Sequence, residues 1–200
     1  MKPLTLIPLA ALVAAAPAPS GDLAQVQRHL QGLGTMTAAF SQTDRNGKTL
    51  TGTLTLKQPG RIRFQYQKGV PLLIVADGSA LTFIDYSVKQ VQRWPVKNSP
   101  MAVLIDPARG VERYARVVPT RNDQAISVEA SDAKHPEIGR ITLVFVRDAS
   151  GPAGLALQGW VQLDSQGNQT TIRLSNQRFG VPVGNDQFRW NDPRPTAGRR

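Results

Sequence analysis

Residues 52–67 read GTLTLKQPGRIRFQYQ. Leu54 and Leu56 alternate with threonines, and Ile62, Phe64 and Tyr66 alternate with Arg and Gln, so each half has one apolar and one polar face. Pro59-Gly60 separates the halves as a turn, which predicts an antiparallel hairpin. The same two-residue period runs outward in both directions. Strands are predicted at 35–44, 50–58, 61–68, 71–78, 80–88 and 90–96, joined by short turns at Asn46-Gly47, Pro59-Gly60, Lys68-Gly69 and Asp77-Gly78. A second series is predicted at 116–123, 125–132, 140–148, 155–164, 170–180 and 187–192. Within it Ile141, Leu143 and Phe145 share a face, as do Leu155, Leu157, Val161 and Leu163.

Two helices interrupt this pattern. Residues 21–34 place Leu23, Val26, Leu30 and Leu33 at helical spacing, with Asp22 as N-cap and Gly32 and Gly34 at the exit. Between the two strand series, Ser99 caps and Pro100 opens a short helix, Met101 to Ile105, that is apolar all round; Pro107 and Gly110 end it. So oily a helix has to lie against the sheet or over an opening in it. A long run of antiparallel strands must curl or be covered at its edges, and two oily helices suit the concave face of a curled sheet.

The 200 residues fit one domain. Lys and Arg number 24 against 14 Asp and Glu, a net charge of +10 with pI near 10.7. The basic residues are scattered singly, and no aromatic-rich nucleic-acid motif accompanies them, so no nucleic-acid partner is expected. Residues 1–18 have one Lys, an apolar stretch from Leu4 to Ala16 and small residues after it, the layout of a secretory signal peptide too short to stay in a bilayer. The domain is therefore placed at 19–193, followed by a basic tail at 194–200.

Catalytic chemistry is not signposted. The absence of Cys removes disulfides, thiol catalysis and N-terminal lipidation on Cys. His29 and His135 have no neighbours at metal-ligand spacing and are both expected on the surface; no metal and no cofactor is expected. Ser41, Ser79, Ser87 and Ser99 lie in no nucleophile elbow, and no Gly-rich loop suits a phosphate.

The order of the segments AAFSQTD, GTLTLKQPGRIRFQY, LLIVADGSALTFIDY and NSPMAVLI resembles the periplasmic lipoprotein carriers of Gram-negative bacteria, the LolA family. The similarity runs from about Leu23 to Trp190, and its most specific parts are the Lys57–Phe64 strand pair and the Asp77-Gly78 turn. It implies a mainly β fold: a single unclosed antiparallel barrel of about 11–12 strands, with short lid helices over an apolar cavity. It also implies a monomeric, non-enzymatic carrier. Such a carrier takes triacylated lipoproteins from an inner-membrane lipoprotein-releasing ABC transporter and delivers them to an outer-membrane acceptor or the outer membrane itself. The acyl chains would be lined by Leu23, Val26, Leu30 and Leu33 of the first helix, Phe40, Leu54, Leu56, Ile62, Phe64 and Tyr66 of the sheet, and Met101, Leu104 and Ile105 of the lid.

One position departs from the family. Many members read Lys-Arg-Pro where this chain has Lys57-Gln58-Pro59, and the Arg hydrogen-bonds the lid backbone when the cavity is empty. Gln keeps donors but lacks the charge and forked geometry, so either Gln58 latches more weakly or a neighbour such as Arg61 or Arg63 does so. A sensor or scaffold of the same fold, or an exported enzyme acting on lipid or glycan, are the alternative readings. The second needs a polar constellation in the cavity, which the sequence does not supply.

Overall fold

The computed structural model describes residues 21–96, 99, 101–107, 111, 114–132 and 134–195. The signal-peptide segment 1–18, Pro100, Gly110 and tail residues 196–200 lie outside the described residues. The chain runs α1 (Gly21–Gly32), β1 (Thr35–Thr43), β2 (Thr49–Lys57), β3 (Arg61–Tyr66), β4 (Leu72–Asp77), β5 (Ala80–Asp85), β6 (Gln90–Pro95) and α2 (Ala102–Ile105). It continues through β7 (Ala115–Val118), β8 (Ala125–Ser131), β9 (Arg140–Arg147), β10 (Leu155–Leu163) and β11 (Gln169–Phe179). All eleven strands form one antiparallel sheet in the order β6-β5-β4-β3-β2-β1-β11-β10-β9-β8-β7. Its two ends, β6 and β7, do not pair with each other, so the barrel is not closed.

A ring contact proves that the sheet curls. Phe64 on β3 and Trp160 on β10 are four steps apart in the strand order, about 19 Å in a flat sheet at roughly 4.8 Å per step. Their ring centroids are 6.0 Å apart. The inner face carries Met36, Phe40, Leu54, Leu56, Ile62, Phe64, Val128, Leu143, Phe145 and Trp160 in one apolar cluster with α1 and α2.

Three expectations need correction. Residues 187–192 are no twelfth strand: Asn185–Phe188 is a 3-10 turn in a strap that crosses the outer face. There Val183, Phe188 and Trp190 pack on Leu73, Val75, Ile84 and Val91. The strap's carbonyls find side chains rather than a strand ladder. Lys57 Nζ donates to Val183 O at 2.8 Å, and Arg63 donates to Gln187 O at 3.1 Å and Arg189 O at 3.0 Å. Part of the basic surplus is thus used inside the molecule.

Second, β10 does not keep its face. Leu157 stands opposite Phe145, but Gly159 stands opposite Val144, so an extra residue bulges out at Gln158 and the alternation switches. Trp160 and Gln162 turn inward, and Val161 and Leu163 are only half-buried. Gly159 allows this with φ 150, and a Cβ there would lie 2.1 Å from Ile172 O.

Third, His29 is fully buried rather than on the surface, and Asp22 lies in the first turn of α1, where it meets Arg147 at 3.2 Å. Positions 26, 29, 30 and 33 form one helical stripe, so His29 shares the face of Val26, Leu30 and Leu33. Its Nδ1 donates to Pro152 O at 2.8 Å, which leaves Nε2 as an acceptor without a partner, edge-on to Phe145 at 5.3 Å. Burial pushes its pKa below the ordinary 6.5. The unfolded chain therefore takes up a proton that the folded chain refuses. Stability is fully present above 6.5 and is lost as pH falls from there through the lowered folded value. A His29→Asn variant, which keeps a donor near the Nδ1 position, should lose this part of the fall in Tm between neutral pH and pH about 5. An unchanged slope in thermal melts would refute the assignment.

Candidate functional site

Each apolar residue assigned to the acyl site falls in the inner cluster, and the structure brings them together from three directions. From the sheet, Leu54, Leu56 and Ile62 are fully buried, with Phe64, Phe40 and Tyr66 nearly so. Phe40 stands edge-on to Phe64 at 5.3 Å and to Tyr66 at 5.2 Å, a geometry that aromatic quadrupoles favour. The Tyr66 hydroxyl donates to Gln42 Oε1 at 2.7 Å, and burial pushes its pKa up to about 12. From α1 come Leu23, Val26, Leu30 and Leu33; from the lid come Met101, Leu104 and Ile105.

The lid is short and is held by backbone bonds to both walls. Met101, not Ser99, is the N-cap of α2, without a side-chain cap; Ser99 Oγ accepts the Met101 N–H at 3.2 Å one step ahead of it. Gln58, whose peptide bond to Pro59 is cis, donates through Nε2 to Leu104 O at 2.9 Å. Gly60 N–H donates to Ile105 O at 2.6 Å. Arg61 does not reach the lid: it donates to Asn185 Oδ1 at 2.7 Å in the outer strap, as Arg63 donates to the strap's carbonyls. On the other side Gln27 of α1 uses both ends of its amide, donating to Pro107 O at 2.9 Å and accepting from Val111 N–H at 2.9 Å.

Sequence reasoning missed Gln27 and Trp160. Gln27 has no local signal, because its partners are 80 and 84 residues away. Trp160 was hidden by the bulge.

Among the described residues the space under the lid is bounded by one apolar cluster. A cavity of about 170 Å³ remains, lined by Phe64, Ile74, Met101, Trp160, Gln162 and Ile172 among others. Ligand pockets span roughly 300–1,000 Å³, so this space alone is too small for a long chain. A larger cleft of about 650 Å³ adjoins it, lined by Leu81, Phe83 and Trp94 and by His135, Glu137 and Asp164. Among the described residues no group of three or more His, Asp or Glu is placed to hold a metal ion.

The fold is an unclosed antiparallel barrel with an apolar interior beneath a short helix. The family model for the outer membrane lipoprotein carrier protein LolA matches residues 31–191, and the chain belongs to that family. The outer-membrane lipoprotein carrier protein of Chromobacterium violaceum is 30% identical over 203 residues, 97% of this chain and 96% of its own length. That of Xanthomonas campestris pv. campestris is 29% identical over 194 residues, 91% and 90% of the two chains. Two solved structures share the fold. An uncharacterized conserved protein from Thermus thermophilus has a TM-score of 0.51 at 13% identity, covering 84% of this chain and 93% of that one. In the Pseudomonas aeruginosa MucA/MucB complex, a chain with TM-score 0.51 and 14% identity covers 87% of this chain, which spans 62% of its length.

Proposed function

We propose that this protein is an exported periplasmic carrier that takes acylated lipoproteins from an inner-membrane ABC transporter, shelters their acyl chains under α2 and hands them to the outer membrane or an acceptor there. Residues 1–18 would direct the export, and no catalysis is involved. The apolar residues of β1–β3, α1 and α2 would line the acyl site once the lid lifts. The observation that carries this reading is an apolar interior closed by a handful of hydrogen bonds, in a chain of the lipoprotein-carrier family.

Magnitudes favour such a cycle. Each acyl chain of roughly 16 carbons is worth on the order of 12 kcal/mol when withdrawn from water. The bonds from Gln58, Gly60 and Gln27 to the lid segment contribute about 0.5–1.5 kcal/mol each, or a few kcal/mol together. Cargo therefore outcompetes the latch. Closure of the empty interior, with its own side chains repacked, returns part of that free energy and permits release.

The test is a release assay. The purified protein is incubated with ATP and transporter proteoliposomes holding a radiolabelled triacylated lipoprotein, and the soluble fraction is examined for a one-to-one complex. Retention of all label in the membrane by a folded protein would overturn the reading.

Gln58 is the proposed latch, and it has a separate test. Gln58→Ala should raise the opening rate of the lid segment, read as roughly 2- to 10-fold faster hydrogen exchange at the Gly60 amide, whose partner is Ile105 O. Exchange unchanged from the parent would show that Gln58 does not hold the lid.

A further inference from the structure

The smaller cavity and the larger cleft meet at a doorway. Ile74, Met101 and Gln162 line both spaces. Met101 immediately precedes α2, and an unbranched thioether changes rotamer readily, so a small movement there joins the two. Of the three doorway residues Gln162 is the polar one, and its position is not what strand alternation prescribes. Without the Gln158-Gly159 bulge, Val161 and Leu163 would face inward; with it, an amide stands in their place.

That amide is chemically idle in the closed protein. Gln42, on the same inner face, accepts the Tyr66 hydroxyl at 2.7 Å, but the Gln162 side chain has no hydrogen-bond partner among the described residues. A half-buried amide beside Ile74 and Met101 keeps some access to water, and a ligand that enters the doorway displaces that water and has to replace its hydrogen bonds. A neutral ligand group with both a carbonyl and an N–H would satisfy it, since the amide donates through Nε2 and accepts through Oε1. An anionic head group fits poorly, because the cleft is also lined by Glu137 and by Asp164, two residues beyond Gln162 on the same segment.

We propose that Gln162 is a ligand-binding residue for the ester and amide linkages that join the acyl chains to the polypeptide of an acylated cargo. Hydrocarbon lies inward past Ile74 and Met101, and the polypeptide leaves through the cleft along Phe83 and Trp94. This assignment rests on the carrier reading and deepens it.

The experiment compares two probes: a tripalmitoyl-cysteinyl lipopeptide with an uncharged tail, and phenylnaphthylamine, a hydrocarbon-like dye without ester or amide groups. Gln162→Leu should bind the dye within about twofold of the parent and the lipopeptide roughly 5- to 30-fold more weakly, the effect of one or two neutral hydrogen bonds. Val161→Gln, on the opposite face, should change neither.

A Gln162→Leu protein that binds the lipopeptide as tightly as the parent overturns the assignment and leaves the carrier reading intact. Loss of both probes also overturns it, since it makes Gln162 a structural residue. A parent protein that binds the dye and not the lipopeptide defeats the carrier reading, and this inference falls with it.

Discussion

Leu104→Glu is expected to leave the sheet folded and to abolish transfer of lipoprotein into the soluble fraction, a loss of at least about tenfold in complex formed. Leu104 is fully buried at the centre of a four-residue helix, so the new carboxylate would be cut off from solvent. Two responses are open: the carboxyl stays neutral, or the lid lifts and the group ionises. The second is the easier, because the lid segment is held by a few bonds worth about 0.5–1.5 kcal/mol each, whereas the eleven-stranded sheet is one cooperative body. Acyl chains entering beneath the raised lid then meet a charge where they need hydrocarbon. Leu104→Ala separates polarity from packing. It should lower stability by about 2–5 kcal/mol through the space it leaves, yet still yield a lipoprotein complex. Parental amounts of soluble complex from the folded Glu variant would remove α2 from the cargo site.

A large effect on stability is also expected at Gly52, on the inner face of β2. A Cβ there would lie 2.2 Å from Gln65 O, 2.7 Å from Phe40 Cε1 and 2.8 Å from Tyr66 Cα. Two of those three atoms are backbone of the paired strand β3, so no rotamer change relieves the clash. The β2–β3 ladder would have to open and the Phe40–Tyr66 ring pair, now at 5.2 Å, would have to part. We expect Gly52→Ala to cost about 3 kcal/mol, lowering Tm by roughly 6–12 °C in a chain of this size. The shift should appear in thermal denaturation followed by far-UV circular dichroism. A melt within a degree or two of the parent would mean that the strands part more easily than their contacts imply.

Much of the site was legible because strand and helix periods report which side chains share a face. Alternation put Leu54, Leu56, Ile62, Phe64 and Tyr66 on apolar strand faces, the family resemblance turned those faces inward, and they do meet the α1 stripe and the lid in one cluster. His29 was readable too: the stripe at 26, 30 and 33 passes through position 29, and only the habit of placing a lone His at the surface hid it. The bulge in β10 was not readable. Gly159 in a strand hints at an irregularity, but the parity switch that turns Trp160 and Gln162 inward depends on the ladder with β9. The terminal strap failed for a related reason. Residues 187–192 alternate like a strand, but the strap's carbonyls are taken by Arg63, and its apolar side chains by Leu73 and Val75.

By itself the sequence determined the antiparallel mainly β class, the sites of the turns, the two covering helices and most of the apolar side chains they cover, because these follow from residue type and spacing over a few positions. Only the tertiary structure decided how far the sheet curls, which strand changes face, and which polar groups hold the lid. Those outcomes depend on partners far apart in the chain, as when Gln58 meets Leu104, Gln27 meets Pro107 and Phe64 meets Trp160. A backbone carbonyl or an aromatic ring accepts whatever neighbour the fold delivers, and local spacing carries no record of which one that is.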